Sequence, residues 1–158
     1  MEKLTAKDIM SREVLTVNAE LSLQGLAEFL FHNSISGAPV VSKNGKLIGA
    51  VSITDIIRQE TLPEKSLQFD GRHDYYVHTV EDRFSHQDLD ALHFTTEAPV
   101  TVQDIMTPKI LEVGEQNTVQ HVAETMIKNR IHRVFVTREG EPIGIISTVD
   151  MLKIIRDM

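Results

Sequence analysis

The chain has 158 residues, no cysteine and a formal net charge of −7 at pH 7. That length suits one domain, or two small units sharing a core, burying roughly 70% of the unfolded surface. The missing thiols exclude disulfides, thiolate zinc and a cysteine nucleophile, and point to a reducing, cytoplasmic setting. The acidic balance argues against a nucleic-acid partner, whose phosphates need clustered Lys and Arg. No apolar run approaches the ~20 residues that span a bilayer, and residues 1–10 lack a signal-peptide pattern, so no membrane partner is expected.

Along the chain, Asp8-Ile9-Met10-Ser11 comes first, then a short strand predicted over Val14 to Val17. Ser22 is a helix cap, and Leu23, Leu26, Ala27, Leu30 and Phe31 follow it at i, i+3, i+4, i+7, i+8 spacing, one buried face of a helix. Two strands, Pro39 to Ser42 and Leu47 to Ser52, flank Asn44-Gly45, a dipeptide that supplies the positive φ angles of a tight hairpin. A closing helix is predicted from Ile53. After residue 98 the order returns: a strand over Ile110 to Val113, a helix capped by Thr118 with Val119, Val122, Ala123, Met126 and Ile127 on its apolar face, a hairpin of Arg133 to Thr137 and Pro142 to Ser147, and a helix from Thr148. Core packing is the expected role of both stripes.

These segments are two copies of one unit. Asp104-Ile105-Met106-Thr107 repeats the first motif at an offset of 96, and Val113, Ala123, Ile131 and Val136 match Val17, Ala27, Ile35 and Val40 at the same offset. One residue then drops out at the turn, and Ile48-Gly49-Ala50-Val51-Ser52-Ile53-Thr54-Asp55 aligns with Ile143-Gly144-Ile145-Ile146-Ser147-Thr148-Val149-Asp150. The expected fold class is α/β: two pseudo-symmetric β-α-β-β-α repeats packed through their sheets, with grooves between them in pairs.

The β-α-β-β-α order, the Asp-Ile-Met start and the Gly-x-x-Ser-x-x-Asp ending resemble a tandem cystathionine-β-synthase (CBS) domain pair, with repeats at 1–58 and 99–158 and an insertion at 59–98. The resemblance implies a regulatory, non-enzymatic module. Its paired clefts would hold AMP, ADP or ATP, or S-adenosylmethionine, and the ligand would control a partner protein. It also implies a homodimer. No attached effector domain is expected, and the sequence does not identify the regulated partner.

At each candidate site a glycine, Gly49 or Gly144, lets a backbone or a flat base approach closely. The helix start offers backbone N–H groups for a phosphate. By the resemblance, Ser52 and Ser147 contact phosphate, and Asp55 and Asp150 grip the ribose hydroxyls. Ser-x-x-Asp is equally the pattern of a capping box, in which the carboxylate reaches back to the cap's own N–H, and the two roles can coexist. The base would lie against Thr16, Val17, Ser36, Ala38 and Pro39 in the first copy, and against Val113 and Val134 in the second. His132 and Arg133 resemble the family's basic phosphate-contacting segment; whether Arg133 serves its own cleft or the neighbouring one is open. Phe135 and Glu112 depart from the residues the family often carries there.

The stretch from Arg58 to Pro99 holds nine acidic residues against four basic ones, and His73, His78, His86 and His93, with Asp74, Asp82 and Asp88 nearby. Their spacing matches no metal-ligand pattern, so no metal is expected and a solvated acidic loop is the better reading. Phe69, Tyr75, Tyr76, Val77, Val80, Phe84, Leu89, Leu92 and Phe94 nevertheless give it apolar groups with which to dock, over the module's edge as a lid or against a second chain. The alternative to a ligand sensor is a ligand-free dimerisation or interaction module. A hydrolase is disfavoured, because no nucleophile elbow, Gly-rich phosphate loop or His-Glu-x-x-His helix is present.

Overall fold

The computed structural model describes residues 3–61, 74–77 and 100–158. The first repeat runs α1 (Ala6–Ile9), β1 (Val17–Asn18), α2 (Leu23–His32), β2 (Gly37–Val41), β3 (Leu47–Ser52), α3 (Ile53–Thr61). A one-turn helix, α4 (Asp74–Val77), precedes the second: α5 (Val102–Ile105), β4 (Glu112–Gly114), α6 (Val119–Asn129), β5 (Arg133–Arg138), β6 (Glu141–Ser147), α7 (Thr148–Asp157). Each repeat folds one three-stranded sheet, ordered β1-β2-β3 or β4-β5-β6, with a parallel first pair and an antiparallel second pair.

Ser22 and Thr118 cap α2 and α6 as their sequence context predicts, accepting from Gly25 N–H at 3.0 Å and His121 N–H at 3.2 Å. Each such cap contributes about 1 kcal/mol. The opening strands begin later than Val14 and Ile110, because only Val17-Asn18 and Glu112 to Gly114 lie beside β2 and β5. The residues upstream are engaged elsewhere. Ser11 pairs with Ile145 of the second repeat, and Thr107 pairs with Ala50 of the first.

The missing residue lies in the hairpins. In the second, Arg138 and Glu141 pair across Glu139 and Gly140, both with positive φ (51° and 80°). In the first, Ser42 N–H donates to the Lys46 carbonyl across three residues, and Gly45 N–H closes a turn on the Ser42 carbonyl. There Gly45 alone takes positive φ (77°) and Asn44 does not, so the two-residue tight hairpin expected at Asn44-Gly45 forms in the second repeat instead.

The two lead helices are exchanged. Ala6 and Met10 are buried in the second repeat's cluster with Val122, Val134, Phe135 and Ile146, while Val102 is buried in the first repeat's cluster with Leu26, Leu30, Val51 and Ile56. Neither core closes without the other repeat's lead, which makes the pair one folding unit rather than two domains on a tether.

The helix stripes differ between copies. Leu23, Leu26, Ala27 and Leu30 are buried as expected. In α6 only Val122 and Met126 are buried, and Ile127 is 76% exposed, contrary to a purely core role. Ile127 borders an apolar groove of about 700 Å³ between α6 and α7, with Val119, Ala123, Met151 and Ile155. Residues 3–61, 74–77 and 100–158 include no helix long and apolar enough to cross a membrane.

Candidate functional site

The register of each hairpin places the helix-entry serines beside the openings of the middle strands. Ser52 pairs with Gly37, and Ser147 with Arg133. Both aspartates turn back onto these serines. Asp55 Oδ2 accepts Ser52 N–H at 2.8 Å, and Asp150 Oδ2 accepts Ser147 N–H at 2.9 Å and its hydroxyl at 3.0 Å. The other oxygen of each faces a cation one turn on, Arg58 at 3.5 Å from Asp55 and Lys153 at 3.2 Å from Asp150. Ser147 and Asp150 thus form the reciprocal capping box, and Asp55 makes the same reach back to Ser52 N–H. Asp55 is 5% exposed and the Asp150 side chain 17%, so the second carboxylate is the more accessible.

Fewer amides remain for an anion than a bare helix start offers. Thr148 N–H donates to the His132 carbonyl at 2.9 Å, Asp150 N–H to Ser147 Oγ at 3.3 Å, and Ile53 N–H to the Ser36 carbonyl at 2.8 Å. The Thr148 and Ile53 bonds tie each helix start to the residues that follow α6 or α2. His132 belongs to this tie: its Nδ1 lies 3.4 Å from Thr148 Oγ1.

The close approach reserved by Gly49 and Gly144 is taken by protein. A Cβ at Gly49 would lie 2.6 Å from the Thr107 carbonyl oxygen and 3.0 Å from Met106 Sδ. At Gly144 it would strike Met10, with Cγ at 2.7 Å. These contacts belong to the exchanged leads, secured by Ala50 N–H to Thr107 at 3.0 Å and Ser11 N–H to Ile145 at 2.9 Å. Of the expected base contacts, Val17, Ala38, Val113 and Val134 are core side chains and Pro39 is buried in β2, so at a cleft they present main chain only. Thr16 and Ser36 are partly exposed.

Arg133 crosses to the first repeat. It lines a cavity of about 180 Å³ with Glu13, Leu15, Ile35, Ser36, Gly37 and Ile145, so Ser36 and Arg133 meet at one site although they come from different copies. One wall of the cavity is Tyr75.

The two tyrosines of α4 fill the space between the repeats. Tyr75 stacks on Phe135, centroids 5.3 Å apart at 20°, and the Arg133 guanidinium carbon lies 4.8 Å from its ring centroid. Gly37 makes room for it: a Cβ there would lie 2.6 Å from Tyr75 Cδ2. Tyr76 is 1% exposed, edge-on to Phe135 at 5.6 Å. Its hydroxyl accepts Leu111 N–H at 3.3 Å and lies 3.5 Å from the Lys109 carbonyl, and its own carbonyl accepts His132 N–H at 2.7 Å. Burial pushes both phenols above their ordinary range, opposed at Tyr75 by the Arg133 charge. Aromatic pairs of this kind contribute about 0.5–1.5 kcal/mol each beyond area burial. The insertion thus docks through Tyr75 and Tyr76, as its apolar content suggested, but between the repeats. The other docking residues named in it and its four histidines lie outside the described residues or have no described side chain.

Comparisons with known proteins agree with this architecture. An uncharacterised protein of Methanocaldococcus jannaschii, MJ1426, is 29% identical over 154 residues, 96% of this chain and 91% of that one. The L-aspartate semialdehyde sulfurtransferase of the same organism is 24% identical over 149 residues, and this chain spans 22% of its length. Among solved structures, CBSX2 in complex with AMP superposes with a TM-score of 0.66 at 20% identity, each chain 98% covered. The CBS domain pair of protein MJ0100, in complex with 5-methylthioadenosine and S-adenosyl-L-methionine, gives 0.64 at 22% identity, covering 99% of this chain and 98% of that one. The CBS domain model matches residues 6–60 and 102–157. With two matched regions, two equivalent sheets and exchanged leads, the chain belongs to the CBS domain family, as a pair of CBS repeats.

Proposed function

We propose that the pair, with repeats at 1–58 and 99–158 around an insertion at 59–98, is a cytoplasmic sensor of adenine nucleotides or another adenosyl ligand that regulates a partner protein. The observation that carries this reading is the cleft itself. Arg133 of one repeat meets Ser36 and Gly37 of the other, and each of Arg133 and Gly37 is the strand partner of a helix-entry serine. A guanidinium beside a helix entry suits phosphate, and Asp150, on the same turn as Ser147, would take the ribose hydroxyls. The complexes of CBSX2 with AMP and of MJ0100 with S-adenosylmethionine and 5-methylthioadenosine support an adenosyl ligand. The role is regulatory rather than enzymatic, and binding free energy does the work: a ligand stabilises the state it prefers by RT ln(1 + [L]/Kd). Two copies pair through the exposed groove of α6 and α7, where Ile127 and Ile155 offer an apolar face.

A ligand-free interaction module is the second reading, favoured by the capping of both aspartates and by the tyrosines between the repeats. A thermal-shift panel of AMP, ADP, ATP and S-adenosylmethionine separates the two. A ligand at a hundred times its Kd raises the melting temperature by roughly 5–10 °C. A flat response to the whole panel supports the interaction module.

A further inference from the structure

We propose that Tyr75 and Tyr76 are a built-in occupant of the purine slot, which an adenine nucleotide expels on binding, so that the insertion sets the concentration at which the module responds. This rests on the nucleotide reading above. It is carried by the way the two side chains are held. Tyr75 is gripped as a base would be, nearly parallel to Phe135 on one side and with the Arg133 guanidinium 4.8 Å from its centroid. Tyr76 is gripped at its polar edge. Its hydroxyl accepts Leu111 N–H at 3.3 Å and lies 3.5 Å from the Lys109 carbonyl, so one atom faces a main-chain donor and an acceptor two residues apart. A purine presents the same pairing through a ring nitrogen and an exocyclic amine.

Space decides between coexistence and exchange. Beside Tyr75 about 180 Å³ remains, below the roughly 300–1,000 Å³ of clefts that take small organic ligands. The donors are also taken: His132 N–H by the Tyr76 carbonyl at 2.7 Å, and Leu111 N–H by its hydroxyl. A base pairing with this main chain therefore removes Tyr76 first. The apparent Kd then equals the intrinsic Kd divided by the fraction of molecules with the slot open. A slot open in under about a tenth of molecules weakens binding at least tenfold.

The chain has two tyrosines and no tryptophan, so NMR of the full chain with ring-labelled tyrosine reports on this helix alone. Titrated with AMP, both ring signals are expected to move to solvent-exposed positions, in step with a calorimetric isotherm. Tyr75→Ala/Tyr76→Ala is expected to bind AMP at least about tenfold more tightly. Tyr76→Phe keeps the ring but loses the Leu111 bond, and is expected to gain roughly 2- to 10-fold. If AMP saturates the wild type with unmoved tyrosine signals and the variants bind equally, the occupant is overturned while the nucleotide reading stands. If AMP binds neither the wild type nor either variant, both are overturned. Binding by the variants where the wild type shows none supports the occupant.

Discussion

Replacing Gly144 with alanine drives a methyl group into Met10, and at Gly49 the same change meets the Thr107 carbonyl. A methionine side chain can turn aside, whereas the Thr107 carbonyl, which accepts Ala50 N–H in a residue pair that exchanges two main-chain hydrogen bonds, cannot. Gly144→Ala is expected to cost about 1–3 kcal/mol by overpacking, and Gly49→Ala more. Pairing Gly144→Ala with Met10→Ala recovers part of the loss, a coupling of at least about 0.5 kcal/mol in a double-mutant cycle read by denaturant unfolding. Strict additivity would place the strain elsewhere. At Asp150, capping and ribose binding are separable: asparagine keeps an oxygen for Ser147 N–H but loses the charge. Asp150→Asn is expected to melt within about 2 °C of wild type, since the asparagine oxygen still accepts Ser147 N–H and the exposed Lys153 pair it gives up contributes little, and to bind AMP roughly tenfold more weakly by calorimetry. Unchanged affinity would leave the aspartate with the cap alone.

At the scale of elements, α4 gives the insertion its chemistry. Because burial raises both phenols, the neutral forms are favoured in the folded state, and their contribution is intact below about pH 10 and is lost as pH rises beyond it. Spectrophotometric titration is expected to show little tyrosinate until well above pH 10, and an earlier, ordinary titration in the AMP complex. Ordinary titration without ligand would mean that the rings are exposed. The helices, their caps Ser22 and Thr118 and the positions of the two hairpins were legible in the sequence because local spacing dictates them, whereas Asn44-Gly45 did not show which hairpin takes the tight two-residue turn. The Tyr75-Tyr76 docking was visible only as apolar residues in an acidic stretch, since its partners Gly37, Leu111 and Phe135 lie 35 to 60 residues away and no periodicity encodes such contacts. The glycine positions were legible as close approaches, but not what approaches: residues of the other copy's lead, at sequence separations that a local pattern does not carry. Likewise Ser-x-x-Asp is written identically whether it caps, binds or does both.

At the scale of the whole molecule, exchange of α1 and α5 makes the repeats interdependent, so a change in one cleft reaches the other through Met10, Met106 and the glycines they cover. The groove of α6 and α7 is the proposed contact with a second copy. Ile127→Glu places a charge on the apolar face and is expected to convert a dimer to monomers in sedimentation velocity. An unchanged mass would move the interface elsewhere. A crystal structure grown in saturating AMP shows whether the inter-repeat cleft is an adenosyl site. The base is expected between Phe135 and Arg133 with Tyr75 and Tyr76 both withdrawn, and the ribose on an aspartate at a helix entry. Tyr76 still bonded to Leu111, both aspartates confined to their serines and no nucleotide between the repeats would contradict it.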